Sequence, residues 1–175
     1  MNRVIVSGIS LVALAITACS PEAPAAPAAT AAALPNGLFL TQAPDNPRTL
    51  VASKETAKVG DEVVFTARIG GRRDPFVKSS AVFIVVDPKL LPCNELHGDG
   101  CVTPWDYCCE TPADLLAHSA TIRIVDDHDA PLAVGLQGTH GLDPLRTVTV
   151  RGKVAQRDDA GTLFVVDAAG IYVQP

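Results

Sequence analysis

The stretch Thr147-Val-Thr-Val-Arg-Gly-Lys-Val154 carries the strongest indication of the fold. Its β-branched residues alternate with polar ones at a period of two, which is the pattern of a half-buried β-strand. Gly152 lies inside this pattern, and a glycine within a strand marks a sharp bend or the close approach of another backbone. The stretch therefore predicts a bent strand that serves two sides of a small β-barrel.

Further strands are indicated on both sides of this stretch by the same alternation and by Gly, Asp and Pro at their ends. The predicted strands are Glu62–Gly70, Ala81–Asp87, Ala120–Asp126, Thr147–Ala155, Leu163–Asp167 and Gly170–Gln174. The bent strand resembles the one that turns the corner in OB-fold domains, which are small Greek-key barrels. We therefore predict an all-β domain, a small OB-like barrel of five to six strands.

One short helix is predicted at Pro112–His118. Thr111 is a suitable N-cap, and Pro112 suits the first helical turn. In this position Leu115 and Leu116 would cover one end of the barrel.

Length and charge restrict the classes of function. The chain has 175 residues, enough for one domain, and a formal net charge of −5. An acidic protein lacks the cationic surface that nucleic acid requires, so we expect no nucleic-acid partner. Aromatic residues make up only 5%, which leaves few surfaces for stacking bases or sugars.

The N-terminal residues 1–18 predict a lipoprotein signal peptide. Arg3 gives a positive start, and the apolar segment Val4 to Ile16 is too short for a membrane span. The sequence then closes with Ile16-Thr17-Ala18-Cys19, which resembles a bacterial lipobox and implies acylation of Cys19. A residue other than an acidic one follows the cysteine, which in two-membrane envelopes indicates the outer membrane. We expect a lipid-anchored protein of the cell envelope that faces the periplasm.

Residues 19–36 form a Pro/Ala-rich stretch that cannot bury enough apolar surface to fold, so we predict a disordered linker. The folded domain is predicted to span residues 37–175.

An unusual segment, Cys93-Asn-Glu-Leu-His-Gly-Asp-Gly-Cys-Val-Thr-Pro-Trp-Asp-Tyr-Cys-Cys-Glu-Thr-Pro112, contains every cysteine except Cys19 and the single tryptophan. Its part 98–110 resembles a family of uncharacterised exported bacterial proteins with the pattern GDGC-x-TPWDYCCE inside an OB-like domain. The resemblance covers roughly residues 58–173. The resemblance implies an OB-like domain and implies no activity.

Three interpretations of Cys93, Cys101, Cys108 and Cys109 remain open. In an oxidising compartment they would form two disulfides, with Cys108 and Cys109 each bonded to Cys93 or Cys101. Alternatively, the thiolates and His97 would bind zinc or copper, although the spacing C-x7-C and C-x6-CC differs from a zinc ribbon. The third interpretation is thiol redox chemistry, through a Cys108–Cys109 disulfide or exchange with a partner.

Two aromatic residues of this segment, Trp105 and Tyr107, would form a recognition surface or pack against the cysteines. Elsewhere, the run Asp126-Asp-His-Asp129 has the composition of a cation site and also of a solvated turn. His140 lies in a glycine-flanked loop, and Arg72-Arg73 suits an anion or a hairpin tip.

No catalytic motif is present, so the sequence does not predict an enzyme. The interpretation that it favours is a membrane-anchored lipoprotein that acts as a binding or interaction module of the envelope. Its partner would be an envelope protein or a small ligand, and no cofactor is expected. The alternative is a periplasmic metal-binding protein, for copper or zinc, or a thiol-redox protein that uses the cysteine segment.

Overall fold

The computed structural model describes residues 32–96 and 100–175. The predicted signal peptide, Cys19, the linker up to residue 31, and His97 lie outside the described residues. The strands are β1 (Arg48–Thr49), β2 (Glu62–Ile69), β3 (Val82–Val86), β4 (Ser119–Arg123), β5 (Thr147–Arg157) and β6 (Phe164–Val173). The α-helices are α1 (Leu50–Thr56) and α2 (Pro112–His118), and short 3-10 turns lie at Cys93–Glu95, Pro104–Asp106 and Thr139–Gly141.

The described strands form a closed five-stranded barrel with β1 added at one edge. Hydrogen bonding runs β2-β3-β4-β6-β5, and β5 pairs again with β2 to close the barrel. β4 and β6 are parallel, whereas the other barrel pairs are antiparallel. This confirms the predicted OB-like barrel.

Gly152 is the point at which β5 touches both neighbours. It pairs with Val63 of β2 and with Ala168 of β6, and the register of β5 against β6 shifts between Arg151 and Gly152. A Cβ atom at this position would overlap the carbonyl oxygen of Asp167 and lie 3.0 Å from the Cα of Ala168. Only glycine allows the strands to approach so closely, as the bent strand requires.

The core fills the barrel with apolar side chains that alternate along the strands. In β2, for example, every second residue from Val63 to Ile69 is buried while the residues between them are partly exposed. The larger fully buried side chains of this core include Phe65, Ile69, Phe83, Ile122, Leu142 and Ile171. Leu34 packs against the same core from within the segment interpreted as a linker.

Helix α2 begins and ends where the sequence predicts. The Thr111 side chain accepts a hydrogen bond from Asp114 N at 3.1 Å, and Pro112 occupies the first turn. Leu115 packs against a small apolar cluster at the barrel end, but Leu116 is 47% exposed, so the prediction that it covers the barrel is wrong.

The prediction of a single helix is also wrong, because α1 precedes β2. Thr49 caps its first turn by accepting a hydrogen bond from Ala52 N. Two of its buried side chains, Ser53 and Lys54, are polar, which hides the apolar face from the sequence pattern. The Lys54 ammonium donates to Leu116 O and Ser119 O, both at 2.8 Å, and so joins α1 to the end of α2.

The last two predicted strands are one continuous strand, β6. Gly170 does not end it, because this residue pairs with Arg151 and its face is covered by Leu40. In the part of the chain that the structure describes, no helix is long and apolar enough to cross a membrane.

Candidate metal centre

The cysteine loop, residues 93–109, is fastened to the barrel at the end of β2. Gly71 N donates to Trp105 O at 2.8 Å, and the Trp105 indole donates to Arg73 O at 2.9 Å. Gly70 has no room for a side chain, because a Cβ there would lie 2.7 Å from Trp105 O and 2.8 Å from the Tyr107 ring. The barrel thus determines the position of the loop around Trp105 and Tyr107.

Tyr107 is the apolar anchor of the loop. Its side chain is fully buried and packs with Val86, Leu90 and the partly buried Leu115. Its backbone has a φ of 56°, in the left-handed region. The hydroxyl is buried and makes no well-formed hydrogen bond among the described residues, although the Arg68 side chain lies near enough to oppose the rise of its pKa that burial causes. Burial raises the pKa of Tyr107 to about 12, against the opposing effect of the nearby Arg68 charge.

Three sulfur atoms converge beside this anchor. Cys108 Sγ lies 3.6 Å from Cys93 Sγ and 3.7 Å from Cys101 Sγ. A carboxylate oxygen of Asp106 joins them, and the four ligand atoms all lie within 4.8 Å of one another. Cys93 is fully buried, whereas Cys108 is exposed, so the cluster opens to solvent on one side.

Asp106 is held by its own turn. Its Oδ2 accepts a hydrogen bond from Thr103 Oγ1 at 2.8 Å, and its Oδ1 accepts one from Cys108 N at 3.0 Å. The Cys101 sulfur lies 4.0 Å from the same Oδ1. Burial raises the pKa of Asp106, but the hydrogen bonds from Thr103 and Cys108 outweigh it and leave the pKa below its ordinary value.

The sulfurs affect one another strongly. Contact with the Cys93 sulfur, and next with the Cys101 sulfur, raises the pKa of Cys108. These contacts favour the neutral thiol, which donates a hydrogen bond, and the negative charge of Asp106 adds a smaller effect in the same direction. A cation at this position would reverse that effect, because a metal ion stabilises the thiolates that bind it. This group of sulfur and oxygen atoms could hold a metal ion.

The expected pair of disulfides is not formed among the four cysteines that the structure describes. The sulfur separations of 3.6 and 3.7 Å exceed the S–S bond length of about 2.05 Å. Cys109 is exposed and is not one of the four clustered ligand residues. The loop is instead fixed by the burial of Tyr107 and by the hydrogen bonds of Trp105.

Of the two aromatic residues predicted to form a recognition surface, Tyr107 is not accessible to a partner. Tyr107 is fully buried and therefore packs as an anchor, which was the alternative for these residues. Trp105 is partly exposed, and its indole N–H is already engaged by a backbone oxygen.

The remaining sequence candidates lie elsewhere. Asp126 Oδ1 accepts hydrogen bonds from His128 N and Ala130 N, so the acidic run is a turn that its own side chain stabilises. These bonds, with that from His128 N the largest contribution, lower the pKa of Asp126. His140 stacks on Phe39 with ring centroids 4.0 Å apart.

Two residues of the site were missed by the sequence reasoning. Asp106 was not predicted as a ligand, although its T-x-x-D spacing from Thr103 is that of a capping box. Gly70 was predicted as the end of a strand, and nothing in the sequence indicates that Trp105 and Tyr107 pack against this glycine.

Comparison of the chain with protein-family models, with curated proteins and with solved structures gives no significant match.

Proposed function

We propose that this protein binds one metal ion, zinc or copper, through the thiolates of Cys93, Cys101 and Cys108. The observation that carries the proposal is the spacing of the sulfurs around Cys108, 3.6 Å and 3.7 Å. A tetrahedral ion with metal–sulfur bonds of about 2.3 Å holds its sulfur ligands about 3.8 Å apart. The cluster therefore suits ligation by a single ion with little rearrangement.

The charge of the ligand set supports the same proposal. Three thiolates and the Asp106 carboxylate would together carry four negative charges, and such a group needs a cation when it is partly buried. Asp106 can supply a fourth ligand because a carboxylate has about four lone-pair positions, of which Thr103 and Cys108 N occupy two. The third contact, from the Cys101 thiol at 4.0 Å, is released when that thiol becomes a thiolate. Sulfur-rich sites suit zinc and copper(I), whereas magnesium and calcium prefer all-oxygen sites.

The test is metal content together with a thiol count on the exported chain, purified without chelator. We expect about one equivalent of zinc or copper and reduced thiols. Cys108→Ser should remove the metal, because this sulfur is in contact with both others. Cys109→Ser is the matched control, because this neighbouring cysteine is also exposed and lies outside the cluster, so the metal should stay in place.

The proposal fails if the reduced wild-type protein takes up neither zinc nor copper(I) when either is supplied in solution. If the purified protein instead contains no metal and no titratable thiols, the cysteines serve as disulfide crosslinks. Cys108 would then be bonded to Cys93 or Cys101, and peptide mapping would show which.

We further propose that the protein acts in the cell envelope, held to a membrane by lipid on Cys19. The proposal is supported by the lipobox and the apolar signal segment. Labelled fatty acid should be incorporated into the wild type and not into Cys19→Ser, and the variant should leave the membrane fraction. A wild type without lipid, or a variant that stays with the membrane, would exclude the anchor.

A further inference from the structure

A depression of about 340 Å³ lies on the barrel surface next to Trp105. One wall is the connection between β2 and β3, residues 73–79. The opposite wall comes from the connection between β4 and β5, at residues 135–137 and Pro144, and Trp105 contributes to the lining from the cysteine loop. The volume is at the small end of the range for ligand pockets, about 300–1,000 Å³, so it would take a small molecule.

The depression is rigid. The indole N–H of Trp105 is bound to Arg73 O, which locks the ring to the wall beside it. Two lining side chains belong to the core, because Phe76 is 7% exposed and Leu136 is fully buried. Phe76 also stacks with Phe83 of β3, with ring centroids 5.8 Å apart. A ligand would therefore meet a preformed site and would not have to order it.

The charge of the lining is positive in an acidic protein. Arg73 and Lys78 face one acidic residue, Asp74, whereas the whole chain has a net charge of −5. Among four other depressions in the described part of the chain, three are lined by equal numbers of acidic and basic residues and one by an acidic excess. Neither Arg73 nor Lys78 forms a side-chain ion pair within the described residues, although the Arg73 charge is near enough to Asp106 to help lower the pKa of that carboxyl. No direct ion pair therefore has to be broken before either cation meets a ligand.

We infer that this depression binds a small organic anion with a flat apolar part, of which an aromatic carboxylate is the simplest example. A guanidinium group binds a carboxylate through parallel hydrogen bonds, and Lys78 adds a second positive charge. The indole of Trp105, with Pro75 and Pro144, provides the apolar surface for a ring. This inference goes beyond the proposed metal binding and does not depend on it.

The test uses the single tryptophan as reporter, since Trp105 is the only one in the chain. Benzoate, nicotinate and phenyl phosphate are titrated while tryptophan fluorescence is excited at its red edge, and binding is confirmed by calorimetry. We expect a saturable change with a dissociation constant of about 1 mM or below for at least one of them. Benzamide, which has the ring without the charge, should bind at least about tenfold more weakly than benzoate.

Matched variants locate the site. Arg73→Gln should weaken binding by about tenfold or more, and Lys78→Gln should weaken it less. Arg72→Gln is the control, because this neighbouring arginine is exposed and does not line the depression. All three positions are exposed, so urea unfolding should show that the variants fold like the wild type.

Three results would overturn the inference: no saturable change with any of the three anions, equal binding of benzamide and benzoate, or equal losses in Arg72→Gln and Arg73→Gln. The titration is repeated on metal-free Cys108→Ser. Retained binding there separates this site from the metal site, so either proposal can fail while the other stands.

Discussion

Substitution of Gly152 by alanine tests the structural reason for the bent strand. A Cβ at this position would overlap Asp167 O and would lie 2.9 Å from Val166 Cγ1 and 3.0 Å from Ala168 Cα. Carbon atoms pack at about 3.5–4.0 Å, so β5 and β6 would have to separate by roughly 0.5–1 Å. Two of the three obstructing atoms are backbone, and β2 pairs with Gly152 on its other side, so the strand cannot simply move away.

The magnitude follows from this geometry. Overpacking costs about 1–3 kcal/mol, and one weakened ladder hydrogen bond adds about 1 kcal/mol. Alanine also lowers the conformational entropy of the unfolded chain compared with glycine, which offsets this cost by about 0.4–1 kcal/mol. We therefore expect Gly152→Ala to lower the free energy of unfolding by about 2–3 kcal/mol. With a urea dependence of about 1–3 kcal/mol/M, the midpoint of unfolding should fall by roughly 0.7–3 M.

Far-UV circular dichroism in urea measures this midpoint, and Gly135→Ala is the matched control. The nearest atom to a Cβ at Gly135 is Ser79 N at 3.7 Å, which is ordinary contact, and its φ is not in the left-handed region. The control should stay within about 0.5 kcal/mol of the wild type or be slightly more stable. If Gly152→Ala unfolds at the wild-type midpoint, the barrel does not need a glycine at this corner, and the account of the bent strand is wrong.

Three further predictions concern the buried and clustered polar groups. Burial, opposed by the Asp158 charge, lowers the pKa of Lys54 from 10.5 to about 8, so the folded protein releases this proton first and its stability should rise between about pH 8 and 10.5. The rise should be at most about 3 kcal/mol, because the two carbonyls that accept from the ammonium favour its charged form, and it should be absent in Lys54→Met. Equal slopes in urea unfolding of both proteins would contradict the prediction. Tyr107→Phe removes a buried hydroxyl that makes no well-formed hydrogen bond among the described residues, so the thermal midpoint should rise by the equivalent of about 1 kcal/mol. A fall of the midpoint would show that the nearby Arg68 side chain satisfies the hydroxyl. Asp106→Asn keeps the shape of the side chain but removes the charge beside the sulfurs, so the affinity for the metal should fall about 10- to 100-fold. Competition with a chromophoric chelator measures this affinity, and an unchanged value would show that Asp106 is not a ligand.

The barrel could be predicted because the sequence pattern that specifies its strands is local and periodic. Alternation located the main strands, and the glycine at 152 indicated the corner. Helix α1 was missed because its buried face includes Ser53 and Lys54. The Ser53 hydroxyl donates to Thr49 O one turn earlier, and only Lys54 is satisfied by partners distant in sequence. The same limit explains why two strands were predicted, with a break at residues 168–169 before Gly170, since only the packing of Leu40 and the pairing with Arg151 show that β6 continues.

The sequence predicts which segment contains the site but not how its ligand atoms are arranged. The concentration of cysteines indicated where chemistry lies, but their spacing does not tell which sulfurs meet. That selection is made by contacts between the loop and the barrel, chiefly Trp105 against Gly70 and Gly71. The left-handed residue Tyr107 adds a turn between Asp106 and Cys108 that no periodic pattern encodes.

One turn of the chain connects the two proposed sites. In the 3-10 turn Pro104–Asp106, Trp105 contributes to the lining of the anion site while the next residue contributes its carboxylate to the sulfur cluster. Successive side chains of such a turn point in different directions, so a single short segment can serve both sites. Its rigidity comes from the barrel, through the bonds of Trp105 to Gly71 and Arg73. A loop with little regular structure can thus present ligands in a defined arrangement, because a closed β-barrel fixes the points at which it is attached.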